Sequence, residues 1–399
     1  MLTVVSLFLP HKKITMQFTL SEEHLMIQKA ARDFAINECL PGVIDRDEHQ
    51  RFPREQIMQL ADLGFMGMMV DTKYGGSGMD TISYVLAMEE ISKIDASVSV
   101  CVSVNNSLVC YGLQTYGNEE QKEKYLTPLA QGKKDGELYI GAFLLSEPEA
   151  GSDATSQQTT AEDMGDYYLL NGTKNWITNG SSASVYLVMA QTDVAKGSKG
   201  INCLIVEKNW LGVTVAAKEN KLGIRGSDTH TIMFNDVKVP KENRIGADGF
   251  GFPFAMKTLA GGRIGIASQA LGIASGAYEL ALKYSKIRKA FGKEISQHQA
   301  IQFKLADMAT RIEAARLLCL KAAWEKDNGI DYTLSSSMAK VFASETAMWV
   351  TVEAVQIHGG YGFVKEYHVE RLMRDAKITQ IYEGTSEVQR IVISRSILK

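Results

Sequence analysis

DYYLLNGTKNWITNGSSASVYLVMAQT, residues 166–192, carries short β-rich runs punctuated by Asn-Gly pairs at 171–172 and 179–180. Asn-Gly between apolar β-formers is a strong hairpin signal, because both residues tolerate positive φ. The same texture continues on both sides, through YIGAFLL, GINCLIVE, GVTVAA and HTIMFNDVKV, between about Tyr139 and Val239. Met164-Gly165-Asp166 supplies a further turn. No helix of useful length separates these strands, so the sheet is expected to be antiparallel, a small barrel or sandwich.

Outside this block the apolar period lengthens from two to about 3.6 residues. Thr19 and Glu22 have capping-box spacing, and Ile27, Ala30, Ala31 and Phe34 form one helical stripe before Pro41 stops it. REQIMQLADL reads as a helix closed by Gly64, GGSGM (75–79) as a loop, and TISYVLAMEEISKI opens helical structure reaching about Gly136. From about Phe250 three long stretches are helical, with Ile301, Leu305, Met308 and Ile312 on one stripe, and a further helix ends the chain. Such a set fits a four-helix bundle. The expected fold is α+β and multidomain, since 399 residues are too many for one core. Its parts are an extension at 1–15, an N-terminal α-helical domain at 16–138, a β domain at 139–247 and a helical bundle at 248–399.

Composition narrows the function. Apolar residues make up 45% and charged residues 22%, with a formal net charge of −3, so no basic face for nucleic acid is expected. Five scattered cysteines form no CxxC pair, and no HExxH or comparable spacing suggests a metal. No apolar run reaches the roughly 18 residues of a membrane span. In MLTVVSLFLPHKKIT (1–15) the basic residues follow the apolar run, the reverse of a signal peptide, and the first arginine is Arg32. A cytoplasmic protein is expected. No GxGxxG joins a strand to a helix, so any dinucleotide must be held without a Rossmann turn.

Five stretches can carry chemistry. LLSEPEAGSDATS (144–156) offers Ser146, Ser152, Thr155 and the backbone around Gly151 as donors suited to a pyrophosphate, although a polar turn is the plainer reading. WITNG (176–180) places Trp176 and Thr178 on one side of a strand, where they can flank a flat ring. RKAFGKEISQHQAIQ (288–302) brings Arg288, Phe291 and Gln299 together between two helices. QIHGGYGFVKEYHVERLMRDAK (356–377) contains Gly359, Gly360 and Gly362, for close backbone approach or a sharp turn. IYEGTSEVQR (381–390) sets Glu383 between Tyr382 and Gly384. In isolation Glu383 reads as a surface charge; desolvated, it becomes a general base near neutral pH.

Taken in order, these motifs resemble the acyl-CoA dehydrogenase family, flavoproteins that oxidise acyl-CoA thioesters to trans-2-enoyl-CoA. The resemblance runs from about Thr19 to Leu398. Gln356, Gly359, Gly360, Gly362, Phe363, Glu366, Arg371 and Asp375 fall in register with one family signature; the other, around Ser146–Ser156, departs at Leu144. The resemblance implies FAD between the β domain and the bundle. Phe143, Ser146 and Ser152 would line the flavin and its phosphates, Trp176 and Thr178 would flank the ring, and Thr385 and Glu387 would lie nearby. Arg288, Phe291, Gln299, Gln356 and Gly360 would hold the adenosine end across a subunit boundary in a homo-oligomer, a dimer of dimers. Glu383 would take the α-proton while the β-hydrogen leaves as hydride to flavin N5, with electron-transfer flavoprotein as the acceptor. Ser152, Arg263, Tyr382, Gly384 and Arg395 match substrate-side positions. Some relatives carry the base just before the arginine of GGR, where this chain has Gly262, and Ala260 replaces an aspartate near the CoA arm. SVNNSL (103–108) and KLGIRGS (221–227) resemble the short-chain, butyryl-preferring branch. The alternatives are a short branched-chain dehydrogenase, an acyl-CoA oxidase, and a CoA-binding scaffold without catalysis.

Overall fold

The computed structural model describes residues 19–399; the expectation for residues 1–15 falls outside them. The first helix, α1 (Glu22–Phe34), buries Ile27, Ala31 and Phe34 but leaves Ala30 exposed. Its cap is Ser21, not Thr19. Ser21 is extended (φ −71°, ψ 165°), its hydroxyl accepts from His24 N at 3.1 Å, and its own N–H donates to His24 Nδ1 at 3.3 Å. The box therefore closes two residues later than its spacing suggested, with histidine in place of glutamate.

Helix α2 (Arg54–Asp62) is followed by Gly64 in the left-handed region (φ 77°). Helices α3 (Thr81–Ser92) and α4 (Ala96–Ser103) are buried almost all round. The helical run continues from α4 to Tyr116, so Ala96–Tyr116 is 21 residues and contains an 18-residue window of mean hydropathy 1.3, long and apolar enough to cross a bilayer. This corrects the run-length reading. Of that window, 94% is buried inside the protein, which serves as its apolar solvent. Its two asparagines tie the layers together. Asn105 donates to Met66 O and Leu129 O and accepts from Gly141 N, while Asn106 donates to Phe65 O and accepts from Met68 N.

The main sheet has eight strands: β1 (Gly141–Leu144), β2 (Thr160–Asp163), β3 (Tyr167–Thr178), β4 (Val185–Gln191), β5 (Ile201–Glu207), β6 (Val213–Lys218), β7 (Thr229–Pro240) and β8 (Arg244–Ile245). Its order is β8-β5-β4-β2-β3-β7-β6, with β1 beside β4. Most pairs are antiparallel, but β1 runs parallel to β4 over four residues and β2 meets β4 parallel at Thr160–Gln191. The all-antiparallel expectation is corrected: β1 reaches β4 by way of β2 and β3, with no helix needed. Asn179-Gly180 turns the chain as expected, whereas Asn171-Gly172 does not. Strand β3 passes through Asn171-Gly172 with a bulge, because both halves pair with the long β7 and the Asn171 amide bridges to Asp236 (2.8 and 3.0 Å).

The C-terminal domain consists of α5 (Gly251–Ser285), α6 (Gln299–Asp327) and α7 (Thr333–His358), then α8 (His368–Ile378) and α9 (Ser386–Ile397). Helix α3 packs on α5 at glycine contacts. A Cβ on Gly272 would stand 2.3 Å from Glu89 O, so no larger residue permits that approach. Arg374 joins the three domains, donating to Asp47 Oδ2 (2.7 Å), Glu370 Oε2 (2.7 Å) and Leu222 O (3.1 Å). Arg371 reaches Ile94 O at 2.6 Å, and Asp375 accepts from Ile224 N at 2.5 Å. Burial raises the Asp375 carboxyl to about 6. The signature residues Arg371 and Asp375 therefore work as domain ties, alongside Arg374.

Candidate active site

Glu383 sits in the turn between α8 and α9, held in the left-handed region (φ 51°) and followed by Gly384 (φ 91°). A non-glycine residue costs free energy there, so the turn needs external restraints. Four are present. Gln389 Nε2 donates to Glu383 O (3.1 Å) and Gly384 O (3.0 Å), and Lys340 Nζ donates to Gly384 O at 2.7 Å. The Tyr382 hydroxyl donates to Gln269 Oε1, and Thr385 caps α9 by accepting from Val388 N at 3.3 Å.

The turn aims the carboxyl across Gly262 of α5. A Cβ at Gly262 would lie 2.2 Å from Glu383 Oε2, so only glycine leaves room for the carboxyl there. Among the described residues Oε2 is buried without a hydrogen-bond partner, although the residue as a whole keeps some exposed surface. Burial raises the carboxyl to about 7, against the opposing charges of Lys340 and Arg263. Arg263 is itself buried, donates to Ser337 Oγ at 3.2 Å and leaves its Nε without a partner. One turn along α5, a Cβ at Gly265 would meet the Tyr84 hydroxyl at 2.4 Å and Ser103 Oγ at 2.6 Å, so tyrosine and serine already fill that space.

A second group lies on the β domain. Phe143 stacks on Phe254 of α5 with ring centroids 6.3 Å apart. Phe254 precedes Gly262 by about 12 Å along the helix. The Ser146 carbonyl accepts from Asn175 N at 2.9 Å, which sets the loop beside Trp176. A buried brace holds this loop. Lys174 Nζ donates to Glu147 Oε1 (2.7 Å), Gln157 Oε1 (2.9 Å) and Leu145 O (3.0 Å), and Glu147 accepts from Gln158 N (2.6 Å) and Thr159 N (3.1 Å). Burial works to raise the Glu147 carboxyl, but Lys174 and these donors outweigh it and hold it below its usual range. Ser152 is thereby presented at an exposed apex. Trp176 and Thr178 are not related by plain strand alternation. A register shift between Lys174 and Ile177 puts Trp176 in a left-handed bulge (φ 63°), which leaves its indole 60% exposed.

The third group stands apart. Arg288, Phe291 and Gln299 are exposed around the hairpin joining α5 to α6, with Phe291 97% exposed and the Arg288 guanidinium 5.7 Å from the centre of the Tyr361 ring. Gln356 and Gly360 are exposed at the neighbouring end of α7. At 1.5 Å per residue, the end of α5 at Ser285, just before Arg288, is roughly 35 Å along the helix from Gly262, so one chain does not bring this group to Glu383. Arg395 also faces solvent, about three turns along α9 from Thr385. Glu387 is exposed in the first turn of α9.

Sequence reasoning missed Lys340, Gln389, Gln269 and the Lys174–Glu147 brace. A signal for Lys340 existed: it interrupts the buried stripe Ser336, Ala339, Ala343, Ala347. A lysine in such a stripe requires a specific partner.

Among the described residues the chain thus carries an unpartnered buried carboxyl oxygen over a glycine and, on the β domain, an exposed indole beside a hydroxyl-rich loop. All three domains match family models: "Acyl-CoA dehydrogenase, N-terminal domain" over residues 21–133, "middle domain" over 142–237 and "C-terminal domain" over 249–398. A short-chain specific acyl-CoA dehydrogenase from Clostridium acetobutylicum is 48% identical over 384 residues, covering 96% of this chain and 100% of the relative. The caffeyl-CoA reductase–Etf complex subunit CarC of Acetobacterium woodii is 49% identical over 95% of this chain and 99% of its own length. The solved butyryl-CoA dehydrogenase of Megasphaera elsdenii matches with a TM-score of 0.94 at 49% identity, covering 96% of this chain and 100% of that one. The chain belongs to the acyl-CoA dehydrogenase family, and is an FAD-dependent oxidoreductase. The residues present fit the cofactor: an exposed aromatic face at Trp176, hydroxyl and amide donors at 146–155, and unpartnered buried polar atoms at Glu383 and Arg263.

Proposed function

We propose that this chain oxidises short-chain acyl-CoA thioesters to trans-2-enoyl-CoA, with Glu383 as the base. The observation that carries the reading is the Glu383 carboxyl itself, buried at Oε2, unpartnered and raised to about 7 by burial. Glu383 takes the α-proton, a role that contributes around 10² to 10⁴ in rate. Among the described residues its backbone N–H has no acceptor in the chain, which leaves it free to donate to the thioester carbonyl. Tyr382 walls the reacting carbons on one side and Gly384 lets the backbone approach. FAD supplies the hydride acceptor when bound. Ser146, Ser152, Trp176, Thr178 and Thr385 would hold its flavin end, and a second copy of the chain would lend Arg288, Phe291, Gln299, Gln356 and Gly360 to its adenosine end. The roughly 35 Å between Gly262 and the far end of α5 supports that division between two copies, and a dimer of dimers is the proposed assembly.

Short acyl chains are favoured by the filled space at Gly265, where Tyr84 and Ser103 close the wall one turn beyond the base. The similarity to proteins named for short-chain and butyryl substrates supports the same limit. Electron-transfer flavoprotein is the proposed acceptor, in keeping with the relative named as part of an Etf complex, and the cytoplasm the proposed location. Anaerobic bleaching of the flavin band across a series of acyl-CoA lengths tests the reading. The rate is expected to peak at butyryl- or hexanoyl-CoA; a peak at octanoyl-CoA or longer would refute the chain-length limit.

A further inference from the structure

Lys340 has no exposed surface and, among the described residues, no carboxylate within salt-bridge range. Its one hydrogen-bond acceptor is Gly384 O, at 2.7 Å. A buried ammonium with a single neutral acceptor is costly unless its charge serves a neighbour. We propose that Lys340 is a positioning residue for Glu383: its ammonium pins the Gly384 carbonyl, fixes the left-handed turn that aims the carboxyl across Gly262, and favours the ionised form of that carboxyl. The proposal rests on Glu383 being the base.

Two independent features support it. Gln389 grips the same carbonyl, so the turn keeps one clamp without Lys340 and the charge can be removed separately. The influence is also mutual: Lys340 is the foremost opposing charge to the rise of Glu383, and Glu383 is the foremost support for Lys340, which burial lowers to about 8. The other groups facing this pair are Arg263 from α5, Tyr84 from α3, Glu387 from α9 and Tyr382 from the turn itself.

The test uses FAD-loaded Lys340→Met and Lys340→Gln. The pH dependence of anaerobic flavin reduction by butyryl-CoA is measured, together with FAD content and an infrared titration of the Glu383 carboxyl. Both variants lack the cation, so the acid limb and the infrared midpoint should each move up by about one pH unit. The plateau rate should fall about tenfold in Lys340→Met and less in Lys340→Gln, which keeps a donor. An unchanged midpoint in a variant that retains FAD overturns the proposal. If both variants lose FAD, Lys340 is purely structural and the proposal also fails. Turnover by Glu383→Gln would instead remove the base assignment itself, whatever the Lys340 variants do.

Discussion

Replacing Glu383 by glutamine keeps the side chain's shape and removes its charge. In the folded protein burial lifts this carboxyl from an ordinary 4.5 to about 7, so the ionised form that catalysis requires is disfavoured by the fold. The shift corresponds to about 3 kcal/mol. Because the folded value is the higher one, the favourable contribution is complete below about 4.5 and is lost as pH rises through about 7. Glu383→Gln should therefore match wild type in stability near the bottom of that window. Above it, the variant should be more stable by up to about 3 kcal/mol, less whatever Lys340 loses with its counter-charge. Thermal unfolding of FAD-loaded wild type and variant across the pH range reads this directly. A stability difference independent of pH, or one favouring wild type at high pH, would refute the claim that the carboxyl is held against its solvation.

Three further substitutions probe the rest of the site. Gly262→Ala drives a Cβ to 2.2 Å from Glu383 Oε2, so the carboxyl must move; turnover should fall about 100-fold with FAD content unchanged, measured by steady-state rates and flavin absorbance. Arg288→Ala, at an exposed position, should lower FAD retention during dialysis without altering far-ultraviolet circular dichroism; unchanged retention would count against a shared cofactor site. Lys174→Met leaves Glu147 buried without its counter-ion, which should cost about 3–5 kcal/mol and release FAD from the loosened 146–155 loop, as read by denaturant unfolding and cofactor content.

Periodicity made the helical–β–helical order readable, because each domain buries one kind of face. Turn chemistry was less reliable. Asn171-Gly172 carries a hairpin signature, yet the twelve-residue partner β7 holds both halves of β3, and the pair becomes a bulge. Thr19 had cap spacing, but Ser21 found a reciprocal partner in His24. The parallel β1–β4 pairing had no local trace, since it depends on which strand the chain meets later. At the site, Tyr382, Glu383 and Gly384 were legible because chemistry and backbone freedom fall within three residues. Lys340 and Gln389 were not: they matter only through a turn distant or hidden in sequence, and each looks like an ordinary helix residue.

Anaerobic addition of butyryl-CoA to FAD-loaded wild type and Glu383→Gln, followed at the flavin absorbance band, bears most directly on the role of that carboxyl. Wild type should bleach, while the variant should bind the ligand, retain its FAD and remain yellow. Bleaching of Glu383→Gln at the wild-type rate would contradict the account.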